Sequence, residues 1–353
     1  MNLINTVMNW LLPPACMVML ACAWPALCFL RACQWVYKSF YQDDMEDRVV
    51  IITGASSAIG EQIAYEYARR RANLVLVAKR ESKLRGIAEN SRYLGAKHVM
   101  IIAADVVKED ECRRFVYDAV NFHGHVDHLV NTASLGHSFY IEDVTDTSVF
   151  PHLMDINFWG NVYPSLAALP YLRQSNGRIV VNAAVENWLP LPRMSLYSAA
   201  KTALINFYET LRFEVQDEVG ITVATHGWIG SEMNRGKLMQ DDGMDVQWKE
   251  DEGIPSGGPL EDYARRIVSG ACRGEQTVKF PSWYDIFFVY RAFVPSLLNW
   301  TFKLLLSSDG ARRPVFVGSV GKMEIEGSPS RRQIQASPVL LPPFSPPHSY
   351  KVE

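Results

Sequence analysis

Tyr197 and Lys201 stand four residues apart, so a helix would carry both side chains on one face. A phenol titrates near pH ~10, too high for acid/base work near neutrality. A neighbouring ammonium stabilises the phenolate and brings the group into use as a proton donor to a carbonyl and an acceptor from an alcohol. A Y-x-x-x-K pattern arises often by chance. Its weight here comes from its place, after an extended run at 178–182 and far downstream of a glycine-rich turn. That turn reads Thr53-Gly54-Ala55-Ser56-Ser57-Ala58-Ile59-Gly60, follows a β-branched run and opens a helical stretch, the context a dinucleotide fingerprint requires. Gly54 permits the tight turn and Gly60 lets helix and strand pack closely. Ser56, Ser57 and Ile59 lie where free amides at a helix start receive a pyrophosphate. Ala58 stands where a glycine is more usual, a mild crowding.

Lys79 and Arg80 follow the second extended run, with no acidic residue at its end. A carboxylate there would hold the ribose 2′-hydroxyl of NAD, whereas cations receive the 2′-phosphate of NADP, so the pair predicts NADP(H).

The elements that must position these residues are legible as an alternation. Extended runs are predicted at 49–53, 74–78, 98–103, 128–131, 178–182, 221–226 and 277–280. Helices are predicted over 60–71, 81–94, 108–123, 145–173, 196–218 and 259–272. Strands alternating with helices imply an α/β fold, a doubly wound parallel sheet of about seven strands, over 45–282. A polar stretch at 228–258 has the length and composition of a mobile lid.

The 353 residues carry a net charge of −3 and no long basic run, so no nucleic-acid partner is expected. Four of the six cysteines (Cys16, Cys22, Cys28, Cys33) fall in the first 33 residues, and Cys112 and Cys272 are far apart. Neither a disulfide framework nor a metal site is predicted.

Residues 1–30 hold no charged side chain. As a helix, Val7–Leu30 would reach about 36 Å, enough for a hydrocarbon core of about 30 Å. Pro13, Pro14 and Pro25 interrupt it, which leaves two forms open: a spanning helix or a helical hairpin dipping into one leaflet. Arg31 and Lys38 flank the C-terminal side alone, which places the globular part in the cytosol. Residues 1–40 are therefore expected to anchor the protein to a membrane. A second apolar stretch, 283–308, is read either as core or as a surface lying on the same membrane. The Pro/Ser/Gly-rich 309–353 is expected to be a disordered tail.

Taken together, the glycine turn, Tyr197 and Lys201 resemble the short-chain dehydrogenase/reductase family over about 49–280. The stretches Glu61–Ala68, Met154–Gly160 and Pro192–Tyr197 look most like the membrane-anchored hydroxysteroid dehydrogenases of the 11-beta type, particularly the plant steroleosins of seed oil bodies. The paired prolines resemble the steroleosin proline knot. This resemblance implies a Rossmann-type fold, a steroid or sterol-like substrate, a lipid-droplet or endoplasmic-reticulum location and a homodimer paired through the helices holding Asn157 and Tyr197. It further implies that Asp105 and Val106 contact the adenine and Asn131 the adenosine side. Asn157 would hold a relay water behind Lys201, Lys201 would also bond the nicotinamide ribose, and Ile229 with Ser231 would engage the carboxamide and phosphate region. Three departures stand out. The family's Asn-Asn-Ala-Gly is here Asn131-Thr132-Ala133-Ser134, its Pro-Gly is His226-Gly227, and the serine thirteen residues before Tyr197 is Ala184. A positioned donor of that kind is worth about 10²–10³ in rate, so slow turnover is expected. Asn182 shares Ala184's face of a regular strand and Ser198 points away from Tyr197. The alternative is a sterol- or NADP-binding droplet protein with impaired catalysis.

Overall fold

The computed structural model describes residues 2–40, 42–137, 149–184, 194–226 and 260–282 without a break, with short pieces elsewhere up to Thr301. Two compact units divide the chain, Met1–Asn299 and Trp300–Glu353, the second described only at Trp300 and Thr301. Seven parallel strands form the frame: β1 (Val49–Thr53), β2 (Asn73–Ala78), β3 (Val99–Ala103), β4 (His128–Asn131), β5 (Arg178–Ala184), β6 (Gly220–His226) and β7 (Thr277–Phe280). Their order across the sheet is β3-β2-β1-β4-β5-β6-β7, so the winding reverses between β1 and β4. The strands are apolar on both faces because both are covered. Val50, Ile52, Leu74 and Leu76 pack with α2 (Ala58–Arg69) and α8 (Leu260–Cys272), while Val49, Ile51, Val75 and Val77 pack on the other face. That second face is closed by α4 (Glu109–His123), α6 (Gly160–Ser175) and α7 (Ser195–Val215), and α3 (Glu81–Leu94) joins the first.

Two predicted elements differ in form. The helix expected over 145–173 is split into α5 (Val149–Met154), a π-helical turn at Asp155–Trp159, and α6. A π-turn inserts one extra residue into what reads as a single helical stretch, and such turns concentrate at functional sites. Part of the predicted lid is strand: Lys237–Met239 pairs in parallel with Gly136–His137 and antiparallel with Val246–Trp248. The rest of that stretch, the 309–353 tail and the predicted site residues Ile229 and Ser231 lie outside the described residues.

The amino-terminal segment is one helix, α1 (Asn2–Phe40), with Pro13, Pro14 and Pro25 inside it, so the hairpin form is not adopted. Three prolines are accommodated because the helix continues on either side of each and only local hydrogen bonds are lost. Ile4–Cys33 is long and apolar enough to cross a membrane, and it buries nothing against the rest of the chain. After it, Asp43–Arg48 is strapped to the amino edge of the sheet. Asp43 N donates to Cys272 O at 2.9 Å, Arg48 pairs with Asp127 at 2.7 Å, and Met45 enters the core.

Candidate active site

The site is built at the carboxyl edge, where the order of strands reverses. Gly54 turns with φ +66°, and a Cβ there would stand 2.8 Å from Ala133 N; one on Gly60 would stand 2.5 Å from Gly54 O. The turn after β1 therefore nests against the segment leaving β4, and Thr132 Oγ1 donates to Thr53 O at 2.7 Å to hold the two together. Ser57 caps α2 by accepting from Gly60 N at 3.0 Å, which aims the helix start at the crevice. Ser56, Ser57 and Ala58 are half-buried and reachable, whereas the Ile59 side chain is in the core. Only the backbone of Ile59 is placed to meet a ligand.

The two cations after β2 divide their work. Lys79 Nζ lies 2.9 Å from Asp105 Oδ2, tying the end of β2 to the segment after β3. Arg80 reaches back to Ser56 O at 3.5 Å, over the glycine turn. Burial lowers the Arg80 guanidinium from its ordinary value, and burial followed by repulsion from Arg80 lowers the Lys83 ammonium. Lys83, missed in the sequence, lies close enough to Arg80 to feel its charge, with Glu61 acting the other way. A helix amino terminus with a nearby guanidinium and ammonium is a donor set suited to a phosphorylated dinucleotide. Val106 is buried beside Asp105.

Asn131 is fully buried. Its amide donates to Asn161 O at 3.0 Å, Ser165 Oγ at 2.8 Å and Tyr208 Oη at 3.2 Å, and its Oδ1 accepts from Thr53 Oγ1 at 3.2 Å. The side chain knits β4 to α6 and α7, and burial pushes the Tyr208 phenol well above its usual range. Asn157 sits in the π-turn. Its Nδ2 donates to Leu135 O at 2.7 Å and Leu153 O at 2.9 Å, and its Oδ1 accepts from Leu135 N at 3.0 Å and Ser134 Oγ at 3.2 Å. It pins the segment that runs into the Gly136–His137 strand. Asn157 O accepts from Asn161 Nδ2 at 3.0 Å.

Tyr197 and Lys201 share the buried face of α7, as their spacing predicts, and Lys201 Nζ lies 5.7 Å from the Tyr197 ring centroid. Lys201 is only 1% exposed, and its ammonium donates to Asn182 O at 3.2 Å. Ala184 is fully buried and packs in one cluster with Met194 and Tyr197. Asn182, on the same strand, is engaged elsewhere on its acceptor side: its Oδ1 accepts from Tyr263 Oη at 2.8 Å. Tyr263 had no signal in the sequence beyond an apolar position on α8.

The matching of these parts to known proteins is extensive. The family model for short chain dehydrogenases matches residues 48–242, and the chain belongs to that family; it is an oxidoreductase of the short-chain type. Among its relatives, "11-beta-hydroxysteroid dehydrogenase B" of Sesamum indicum is 63% identical over 354 residues, 98% of each chain. "11-beta-hydroxysteroid dehydrogenase-like 5" of Arabidopsis thaliana is 64% identical over 335 residues, 94% of this chain and 86% of the relative. Solved structures share the fold. A short chain dehydrogenase/reductase from Burkholderia phymatum in complex with NAD has a TM-score of 0.61 at 20% identity, covering 72% of this chain and 96% of that one. The alcohol dehydrogenase from Thermococcus sibiricus complexed with 5-hydroxy-NADP has 0.54 at 23%, covering 63% and 89%.

Proposed function

We propose that this chain interconverts a hydroxyl and a ketone on a steroid or sterol-like substrate with NADP(H), slowly, with Tyr197 moving the proton. The observation that carries the reading is the buried Tyr197–Lys201 pair, with the ammonium 5.7 Å from the ring and fixed on the Asn182 carbonyl. A charge held there favours the phenolate over the phenol, which is what a proton carrier near neutrality needs. Bound nicotinamide supplies or accepts the hydride. The glycine turn, the start of α2, Asp105, Val106 and the backbone from Asn131 to Ala133 hold that cofactor, with Ile229 and Ser231 following β6. Arg80, joined by Lys83, favours the 2′-phosphate, and Lys79 supports it through Asp105. Asn157 lends its carbonyl, shared with Asn161, to a water behind Lys201. The named relatives support the steroid-like substrate.

What this chain lacks is a side-chain donor at 184 to polarise the substrate oxygen. That absence supports the second reading, a sterol- or NADP-binding protein with impaired catalysis. The two separate on Tyr197→Phe: a working enzyme loses about 10²-fold or more of its NADPH-linked ketosteroid reduction, whereas unchanged rates refute the assignment. We further read α1 as the anchor to a lipid-droplet or endoplasmic-reticulum surface, with the body on the cytosolic side. The exposed Ile286, Tyr290, Phe293, Val294 and Leu297 support a second contact with lipid in the 283–308 stretch. Exposed Trp159 just before α6, Leu166 on α6 and Phe213 on α7, the last 82% exposed, support a homodimer paired through these helices.

A further inference from the structure

Lys201 is held by a polar chain that crosses the sheet. Its ammonium donates to the carbonyl of Asn182 on β5 at 3.2 Å, and the side chain of the same Asn182 accepts from Tyr263 Oη at 2.8 Å. Lys201 comes from α7 on one face of the sheet, while Tyr263 comes from α8 on the other. All three are buried. The Tyr263 ring is wedged between His226, edge-on at 5.3 Å, and Phe280 at 5.7 Å, so the place of its hydroxyl is set by β6 and β7. A buried phenol and carboxamide must be desolvated to sit there, and an apolar pair would fill the space at lower cost. What the polar pair adds, beyond the pairing of Asn182 with Ala224 on β6, is a further restraint on residue 182, whose carbonyl locates the ammonium.

We propose that Tyr263, acting through Asn182, is a positioning residue that sets where Lys201 stands relative to Tyr197. This rests on the reading of Tyr197 as the proton carrier. The titratable groups facing the cluster, among the described contacts, are Tyr197 from α7, His226 from β6 and Tyr263 from α8.

Two variants of the full chain in detergent test it. Tyr263→Phe removes one oxygen and keeps the ring. Tyr263→Phe/Asn182→Val removes both polar groups, and with them the unsatisfied carboxamide that the single change leaves behind. The first readout is the ultraviolet titration of the Tyr197 phenol in nucleotide-free protein, taken as the difference from the same background carrying Tyr197→Phe, which cancels the other tyrosines. The second is the split between kcat and KM, and the third is the melting temperature. The expected result is an upward move of the phenol midpoint by about half to one pH unit in both variants. The kcat should fall about three- to tenfold with KM little changed. The double variant should regain melting temperature without regaining the midpoint or kcat. A midpoint that stays at the unsubstituted value, or one that recovers together with stability, overturns the proposal and reduces Tyr263 to packing. Failure of the underlying reading looks different: Tyr197→Phe alone would then leave turnover intact, while the nucleotide-free titration still decides whether Tyr263 places the ammonium.

Discussion

Replacing Ala184 by serine puts a hydroxyl donor where the family resemblance places one, and the surroundings of Ala184 set what this should do. Ala184 is fully buried, and its methyl meets Met194 and Tyr197. An added hydroxyl therefore enters an apolar contact beside a phenol. If it finds no partner in the free protein it costs about 1–3 kcal/mol of stability, seen as a drop of a few degrees in melting temperature. Its gain appears only once a ketone oxygen takes on charge, where a positioned donor is worth about 10²–10³ in rate, or roughly 3–4 kcal/mol. Stability and rate should thus move in opposite directions. The assay is NADPH consumption over a ketosteroid panel by full-length protein in detergent, with kcat and KM taken separately and melting followed in parallel. We expect kcat to rise by at least about tenfold, and the rise to vanish in a Tyr197→Phe background because the two groups act on one oxygen. An Ala184→Ser protein that folds, binds NADP(H) and turns over no faster would refute the reasoning, and would mean that another group already polarises the carbonyl. Turnover in the serine variant alone would favour the binding-protein reading for the natural chain.

Three further outcomes follow from the geometry. Arg80→Gln should weaken NADP(H) by about tenfold or more while leaving NAD(H) nearly unchanged, and Lys79→Met should do less because Lys79 is spent on Asp105; an enzyme that prefers NAD(H) before mutation sinks this. His128 is buried against the Tyr67 hydroxyl at 2.9 Å, and desolvation, then Arg178 and Arg48, push its imidazole down to about 3. Its folded value lies below the unfolded value of about 6.5, so under that pH only the unfolded chain takes the proton and stability falls: about 1 kcal/mol should be lost between roughly pH 7 and 5.5. A His128→Gln protein should lack that part of the slope in denaturant titrations, and equal slopes would refute the assignment. Finally, a fluorescent fusion lacking residues 1–40 should leave the droplet surface, and one that still decorates droplets would exclude α1 as the principal anchor.

The sheet was legible because its strands are apolar on both faces and bounded by turn residues, so that 49–53, 128–131 and 277–280 are found at the predicted limits. The Tyr197–Lys201 pair was legible for a different reason: its signal lies in local spacing, and one helix face carries both members. What the sequence hid is of a third kind. The π-turn at Asp155–Trp159 adds one residue inside a stretch that reads as a single helix. The Lys79–Asp105 pair joins segments 26 residues apart, and the Tyr263–Asn182 bond spans 81. Long-range polar contacts leave no periodic trace, because each partner alone is unremarkable in its own element. The same holds for Asn131 at the end of β4, for which the resemblance implied a ligand contact but whose amide is occupied in joining β4 to α6 and α7.

The same contacts constrain how the body stands on its anchor. Asp43–Arg48 is not a free tether. Asp43 is bonded to the end of α8, Arg48 to Asp127 at the foot of β4, and Lys97 pairs with Asp47 at 2.7 Å. The chain therefore leaves α1 and joins the domain at the amino edge of the sheet. The glycine turn, Tyr197 and Lys201 lie toward the other end, beyond strands of about 17 Å. An apolar substrate drawn from the bilayer at the foot of α1 would have to travel the height of the sheet. The segment that follows β7 begins at the carboxyl edge instead, and its exposed apolar residues, Phe293 at 75% among them, are not used by the core. If substrate arrives from lipid, as the proposed function has it, we expect this second apolar surface rather than α1 to be where it enters. Charged substitutions at Phe293 and Leu297 should then raise KM for membrane-borne ketosteroid while leaving α1-dependent droplet binding intact, and unchanged KM with lipid-presented substrate would return the delivery role to another face.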